Sequence, residues 1–278
     1  MTSIMRYYCY LLRRHLVSWR IFAVLIVTLL TMDAFFMPIR SYCQNLEIKM
    51  SQWGFALLWN NKYISLCFIL IFVFASAIFP ENKARDRYVI TRIGVSKWTL
   101  GQALYLITFG WLYTLVICLC MNLLLINVIE FSPDWGLGWG TLINDNVIAE
   151  FNIYTTVPYL IISNYTPLYA NILVIFIMGL LLGMLSMLML CLNFYSKIAG
   201  PVVTSAIVFL DMAANKNTRL LKYSPVSWIR LDSHYKIMNT DQPTVIYIIG
   251  MLSLLTLLFL MLAKITANRT QENGRRKA

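Results

Sequence analysis

Charge is scarce in this chain, and chemistry-bearing side chains are scarcer. Only 13% of its 278 residues are Asp, Glu, Lys or Arg, against roughly 25% in a soluble domain. The two histidines, His15 and His234, fall in segments predicted at opposite ends of the molecule, so a shared metal site is not expected. The six cysteines (Cys9, Cys43, Cys67, Cys118, Cys120 and Cys191) include no C-x-x-C pair, and neither a disulfide framework nor a zinc site is signalled. Cys118 and Cys120 lie two apart on one predicted helix and do not face each other. They read as small packing residues. There is no G-x-x-x-x-G-K-[ST] phosphate loop, no G-x-S-x-G and no H-E-x-x-H. ATP binding through a phosphate loop, serine hydrolysis and zinc proteolysis are therefore not expected of this chain. No catalytic residue and no metal ligand is assigned, and no cofactor is expected on the chain itself.

What the chain has in abundance is apolar surface: 59% of residues are hydrophobic and the mean hydropathy is +0.68. A domain of this size has too little interior to hide that much. The excess predicts an all-α, polytopic membrane protein, a single transmembrane unit over 1–278. A crossing takes about 20 apolar residues, and it is helical because lipid offers the backbone no water to bond. Six windows qualify or nearly so: 21–37, 63–79, 104–126, 168–192, 198–214 and 244–263. The first ends in Met32-Asp33-Ala34-Phe35-Phe36 with no small-residue cleavage pattern, so it reads as a retained span. The net charge of +11 sits mainly beside the apolar runs, which points to anionic lipid headgroups as partners and not to nucleic acid.

Lys and Arg orient the windows. With the N-terminus inside, the inner segments (1–20, 80–103, 193–197, 264–278) hold 15 basic residues and the outer ones (38–62, 127–167, 215–243) hold 8. The loop 127–167 has no basic residue and four acids, Glu130, Asp134, Asp145 and Glu150. Both termini, including the tail 264–278, are thus predicted cytoplasmic, with 127–167 and 215–243 as the long outer loops. Trp135 and Trp139 are expected at interface depth. Asp33 and Asp211 are expected near outer span ends, within reach of water. Asn122, Asn171, Ser186, Thr204 and Ser205 are the mid-span polar groups, too few for an ion path. Gly179 and Gly183 form a G-x-x-x-G that permits close helix approach, within the chain or between subunits.

Residues 1–20 predict an amphipathic interfacial helix. Ile4, Tyr7, Tyr8, Leu11 and Leu12 make one stripe, while Arg6, Arg13 and Arg20 recur every seven residues on another. The most informative segment is 80–98. Asn82 can cap a short helix, Gly94 suits its end, and Ser96 can cap the next helix, which runs into the third window. Arg85, Tyr88 and Arg92 share one face of the short helix, with Val89 and Ile93 on a neighbouring stripe.

The stretch 87–102, with Arg92 followed by the G-x-S-x-W-x-x-G-Q of Gly94 to Gln102, resembles the coupling loop of membrane subunits (permeases) of type-two ABC exporters. Ser224-Pro225-Val226-Ser227-Trp228 is also similar to many bacterial members. The resemblance covers most of the chain in topology and these two stretches in wording. It departs in one respect: family members often carry their larger outer segment between the fifth and sixth spans, whereas here it lies between the third and fourth. The resemblance implies six spans, an interfacial N-terminal helix and a cytoplasmic coupling helix in a bacterial plasma membrane. It implies a second permease subunit and two cytosolic ATP-binding subunits, with ATP and Mg on those partners. The residues it implies for coupling are Arg85, Arg87, Tyr88, Arg92, Gly94, Lys97 and Trp98. Apolar, Met-rich spans suit an amphiphilic cargo such as a peptide, drug or lipid. An ion-coupled carrier and a non-transporting sensor or assembly factor are the competing expectations.

Overall fold

The computed structural model describes residues 3–80, 84–155, 157–214, 223–234 and 243–277. The chain is mostly helical, at 78%, and twelve α-helices lie among the described residues. In chain order they are α1 (Ser3–Leu16), α2 (Trp19–Asn45), α3 (Phe55–Leu58), α4 (Lys62–Ser76), α5 (Ala84–Ile93), α6 (Val95–Leu124), α7 (Gly136–Thr141), α8 (Asp145–Glu150), α9 (Tyr159–Asn164), α10 (Pro167–Asn193), α11 (Ala199–Ala214) and α12 (Val245–Lys277). Two short strands, β1 (Met50–Ser51) and β2 (Ile129–Glu130), pair in parallel.

Four helices are long and apolar enough to cross a membrane: α2, α6, α10 and α12, the last over Val245–Gln271. The helices α4 and α11 are apolar but shorter. At about 1.5 Å per residue, the 15 residues of α4 rise about 22 Å, less than a hydrocarbon layer of about 30 Å. Caps set the starts. Ser18 accepts from the Ile21 N–H before α2, Asn61 accepts from the Tyr63 and Ile64 N–H groups before α4, and Pro167 opens α10 in its first turn. The first predicted window stops at Met37 because Pro38 follows, yet α2 continues to Asn45. Packing carries it past the proline: Tyr42 is buried, donates from its hydroxyl to Thr141 Oγ1 at 2.8 Å, and meets Phe151 edge-on at 5.0 Å.

The six apolar helices alternate in direction between two ends of a bundle. Around the centre, α10 buries 72% of its most apolar window, whereas α2 buries 22% and α12 only 11%. The outer faces that remain are greasy, with Leu30, Met37, Leu257 and Met261 all well exposed. Each such side chain costs about 1.5–3 kcal/mol in water relative to an apolar surround, so these faces call for lipid. The interior is held by an aromatic ladder. Tyr105, Phe109 and Tyr113 recur every four residues on α6, stacking with one another and with Phe72 of α4.

One end is closed by a tryptophan-bonded cap. Trp139 Nε1 donates to the Ser51 carbonyl (2.9 Å), Ser51 Oγ donates to the Trp135 carbonyl (2.8 Å), and Trp135 Nε1 donates to the Tyr165 carbonyl (2.9 Å). Trp139 is fully buried and Trp135 nearly so. Both rings are enclosed by protein, Trp139 bonded to β1 and Trp135 to the turn before α10. Asn171 ties the cap to α10: its Nδ2 donates to the carbonyls of Trp53 and Pro167, and its Oδ1 accepts from Ala56. Gly54 lies flat on Trp139, where an added Cβ would stand 2.1 Å from the ring. Gly54→Ala is therefore expected to cost about 1–3 kcal/mol by overpacking, read as a lower unfolding temperature in detergent. Gly140→Ala, whose Cβ meets nothing within 4 Å, should leave that temperature unchanged.

The other end gathers α1, α5, the start of α6 and the ends of α4 and α10. Asn193 clamps three helices there. Its Nδ2 donates to the Phe79 carbonyl at 2.5 Å and the Ala77 carbonyl at 3.4 Å beyond α4, and its Oδ1 accepts the Gly200 N–H at 3.0 Å in α11.

Candidate functional site

The predicted coupling segment forms a helical corner. Helix α5 ends at Ile93 and α6 begins at Val95, so Gly94 alone makes the joint. Its N–H donates to the Ile90 carbonyl (2.9 Å), closing α5, and its carbonyl accepts from Trp98 N–H (3.1 Å), opening α6. Gly94 does this at φ +82°, in a region that side-chain-bearing residues avoid. Ser96 is thus inside the first turn of α6 and not its cap, because the left-handed turn restarts the helix one residue after α5 stops. Asn82 lies outside the described residues.

Tyr88 (78% exposed), Arg92, Gly94 and Lys97 come together on the outward surface of this corner. Arg85 and Arg87 belong to α5 by backbone, and their side chains lie outside the described set. Trp98 is elsewhere: it is 3% exposed and meets Phe194 edge-on at 6.1 Å. It is the footing of the corner on the end of α10.

The corner is seated on α1. An added Cβ on Gly101 would stand 2.5 Å from the Tyr7 ring, so glycine is what lets α1 lie against α6. Gln102 Nε2 donates to Tyr7 Oη (3.3 Å), and Tyr7 Oη donates to Asp86 Oδ1 (3.4 Å), linking α6, α1 and α5 through one hydroxyl. Tyr8 Oη and Thr108 Oγ1 are paired at 3.2 Å. Tyr7, Asp86 and Gln102 were not among the sequence-predicted residues. Gly101 and Gln102 closed the recognised wording, and that is the signal that could have found them.

Of the predicted α1 stripe, Tyr7 and Leu11 are buried, while Ile4, Tyr8 and Leu12 are half-buried. His15 completes the buried side, its ring 5.0 Å from Phe79 and 5.2 Å from Tyr105. Arg6 and Arg13 are exposed. Arg20 does not continue their face, because α1 ends at Leu16. It belongs to α2, donates to the Phe74 carbonyl and lies over the Phe74 ring.

The G-x-x-x-G faces inward. Gly179 lies beneath the Trp111 ring, its added Cβ 2.6 Å away, and Gly183 is buried beside Gly110. The remaining predicted polar groups Asn122, Ser186 and Thr204 bond their own helix backbone. Among the described residues no group of three or more His, Cys, Asp or Glu could hold a metal ion.

At the cap end, Asp211 is 4% exposed and not open to water as expected. Residues 224–230 fold over it: Ser224 Oγ donates to its Oδ1 (2.6 Å), and Arg230 pairs with its Oδ2 (3.5 Å) from an equally buried position. Asp33 does remain half-exposed, paired with Arg40. In the same loop, His234 Nε2 donates to the Trp228 carbonyl at 2.8 Å, while its Nδ1 is buried with no hydrogen-bond partner among the described residues. Burial pushes the His234 pKa down, against a smaller upward pull from that hydrogen bond. The unfolded chain therefore takes up a proton near pH 6.5 that the folded chain refuses. Stability conferred above that pH should fall as the medium is acidified from pH 7.5 to 5.5, and His234→Gln should flatten the loss, measured by thermal unfolding across that range.

No family model, curated protein or solved structure matches this chain. The corner therefore has to be read from its own geometry: a solvent-facing set of Tyr88, Arg92 and Lys97 on a short helix, joined rigidly to a 30-residue apolar helix.

Proposed function

We propose that this chain is the membrane-spanning subunit of an ATP-driven exporter of the type-two ABC class, with ATP hydrolysed by separate cytosolic subunits. The observation that carries the reading is the one-residue joint. A force on the exposed surface of α5 reaches α6 through Gly94 with no flexible linker to absorb it. On this reading α4 and α11 also cross, giving six spans. The buried Phe55–Asn60 segment extends α4 toward the cap, where its backbone is shielded by protein and not by lipid. Both termini and the corner face the cytoplasm of a bacterial cell.

In operation, two permease subunits pair and two ATP-binding subunits dock beneath them, gripping Tyr88, Arg92 and Lys97. ATP binds the closed ATPase pair more tightly than the open one, and only that difference drives the change. Closure pulls α5, and α6 tilts with it as a rigid body. The cargo is amphiphilic, in keeping with apolar, Met-rich spans.

The test is purification of the tagged chain with the products of its neighbouring reading frames. The reading requires a co-purifying chain that carries a phosphate-binding loop and whose ATP hydrolysis in proteoliposomes changes when this chain is present. No such partner, or hydrolysis indifferent to this chain, overturns it. The buried Asp211–Arg230 pair favours one other reading, an ion-coupled carrier. That reading requires uptake or efflux driven by a proton gradient without ATP in the same liposomes.

A further inference from the structure

Helices α1 and α5 part at the corner to leave a cleft of about 580 Å³, walled by Arg6, Tyr7 and Tyr10 from α1 and by Val89, Arg92 and Ile93 from α5. That volume suits an organic molecule. Arg6 and Arg92 are both exposed, and neither has an ion pair or hydrogen bond among the described residues. Between them the wall is apolar and aromatic: Val89 and Ile93 are half-buried, and the Tyr7 and Tyr10 rings stack at 6.3 Å. The nearby carboxylate of Asp86 is fully buried and bonded by Tyr7, and neither arginine pairs with it among the described residues.

We propose that this cleft binds an anionic glycerophospholipid, its phosphate held between Arg6 and Arg92. Two guanidinium groups offer a phosphate diester forked, charge-assisted hydrogen bonds. The acyl chains leave along Val89 and Ile93. Charge complementarity selects the occupant, since the chain carries +11 overall and an anionic leaflet attracts basic groups at its surface. The outer side of α1 and the turn after it are apolar and exposed at Met5, Leu16, Val17 and Trp19, which sets this helix at a bilayer boundary. The bound lipid bridges α1 and α5, so the position of α5 depends on lipid charge. The inference rests on membrane insertion and not on the ATP-driven reading.

The experiment is native mass spectrometry of the full chain purified in detergent and exposed to equal amounts of phosphatidylglycerol and phosphatidylcholine. Wild type is expected to retain one phosphatidylglycerol in clear preference. Arg6→Gln with Arg92→Gln should weaken retention about fivefold per arginine, the ratio equivalent to about 1 kcal/mol per basic residue. Arg13→Gln, equally basic and on α1 but outside the cleft, should change nothing. Should the double variant not survive purification, Arg6→Glu carries the same test. Millimolar inorganic phosphate should leave the lipid in place. Equal retention of the two lipids, a loss for Arg13→Gln as large as that of the double variant, or full displacement by phosphate overturns the proposal. No ATP-binding subunit enters the measurement, so its outcome is independent of the transporter reading.

Discussion

Asp211→Ala should lower the stability of the detergent-solubilised chain by about 3–5 kcal/mol, because it removes the buried carboxylate that pairs with Arg230. Both side chains are about 5% exposed. The Ser224 hydroxyl also loses its acceptor. Unpaired burial costs more than the pair itself contributes, which gives the prediction a second half. Asp211→Leu combined with Arg230→Met should recover most of the loss, since replacing a buried pair by apolar groups of similar volume is often neutral or stabilising. Thermal unfolding of the two single variants and the double variant completes the cycle. A double variant as unstable as the worse single one would mean that the pair holds residues 224–230 in place by more than charge. If the carrier reading were right, the same double variant would also abolish gradient-driven movement while leaving the protein folded.

Gly94→Pro should sever the corner mechanically, with the greatest effect on function of any single substitution there. Proline fixes φ near −65° and has no N–H, whereas Gly94 sits at +82° and donates to Ile90. The last turn of α5 would open and the joint would swing. In proteoliposomes with the ATP-binding partner, cargo-linked ATP hydrolysis should fall at least about tenfold. That loss equals about 1.4 kcal/mol of coupling free energy, of the size typical between linked sites. Gly94→Ala keeps the N–H but must hold φ +82° and ψ 156°, outside the left-handed α well and nearly exclusive to glycine, about 1–3 kcal/mol of strain, and should lose less than the proline variant. Arg92→Glu should weaken capture of the partner without altering the joint. Hydrolysis that is unaffected by Arg92→Glu with Gly94→Pro would remove the corner from the mechanism.

Much of this fold was legible because hydrophobic runs are a coarse signal. The helix centres, their alternation and the glycine break at 94 are all written in local sequence. The ends were less legible. Pro38 halts a span by local rules, but Tyr42 and Cys43 have a cap to pack against, and the helix continues. The cap itself was hidden, since a two-residue strand pair has no periodicity to read and forms only where β1 and β2 meet from residues 79 positions apart. Asp211 looked like a water-facing span end because its partner, Arg230, lies 19 residues on across a loop. At the corner, local wording found Tyr88, Arg92, Gly94 and Lys97. The triad of Tyr7, Asp86 and Gln102 spans 95 positions, and no local pattern announces a hydroxyl shared by three helices.

The amide of Asn193 has a mechanical consequence. Because one side chain on α10 holds the turn after α4 by two hydrogen bonds and the start of α11 by a third, these helices share a pivot, and sliding either one along α10 breaks the bonds that tie it there. The α1–α5–α6 group meets that block along the length of α6, where Tyr105 stacks on Phe79 and Phe109 on Phe72, and at the corner through the Trp98–Phe194 edge contact and the His15–Phe79 ring contact. At this end three helices are thus tied at one point, and any tilt of α6 has to be taken up in the plane of aromatic contact between α6 and α4.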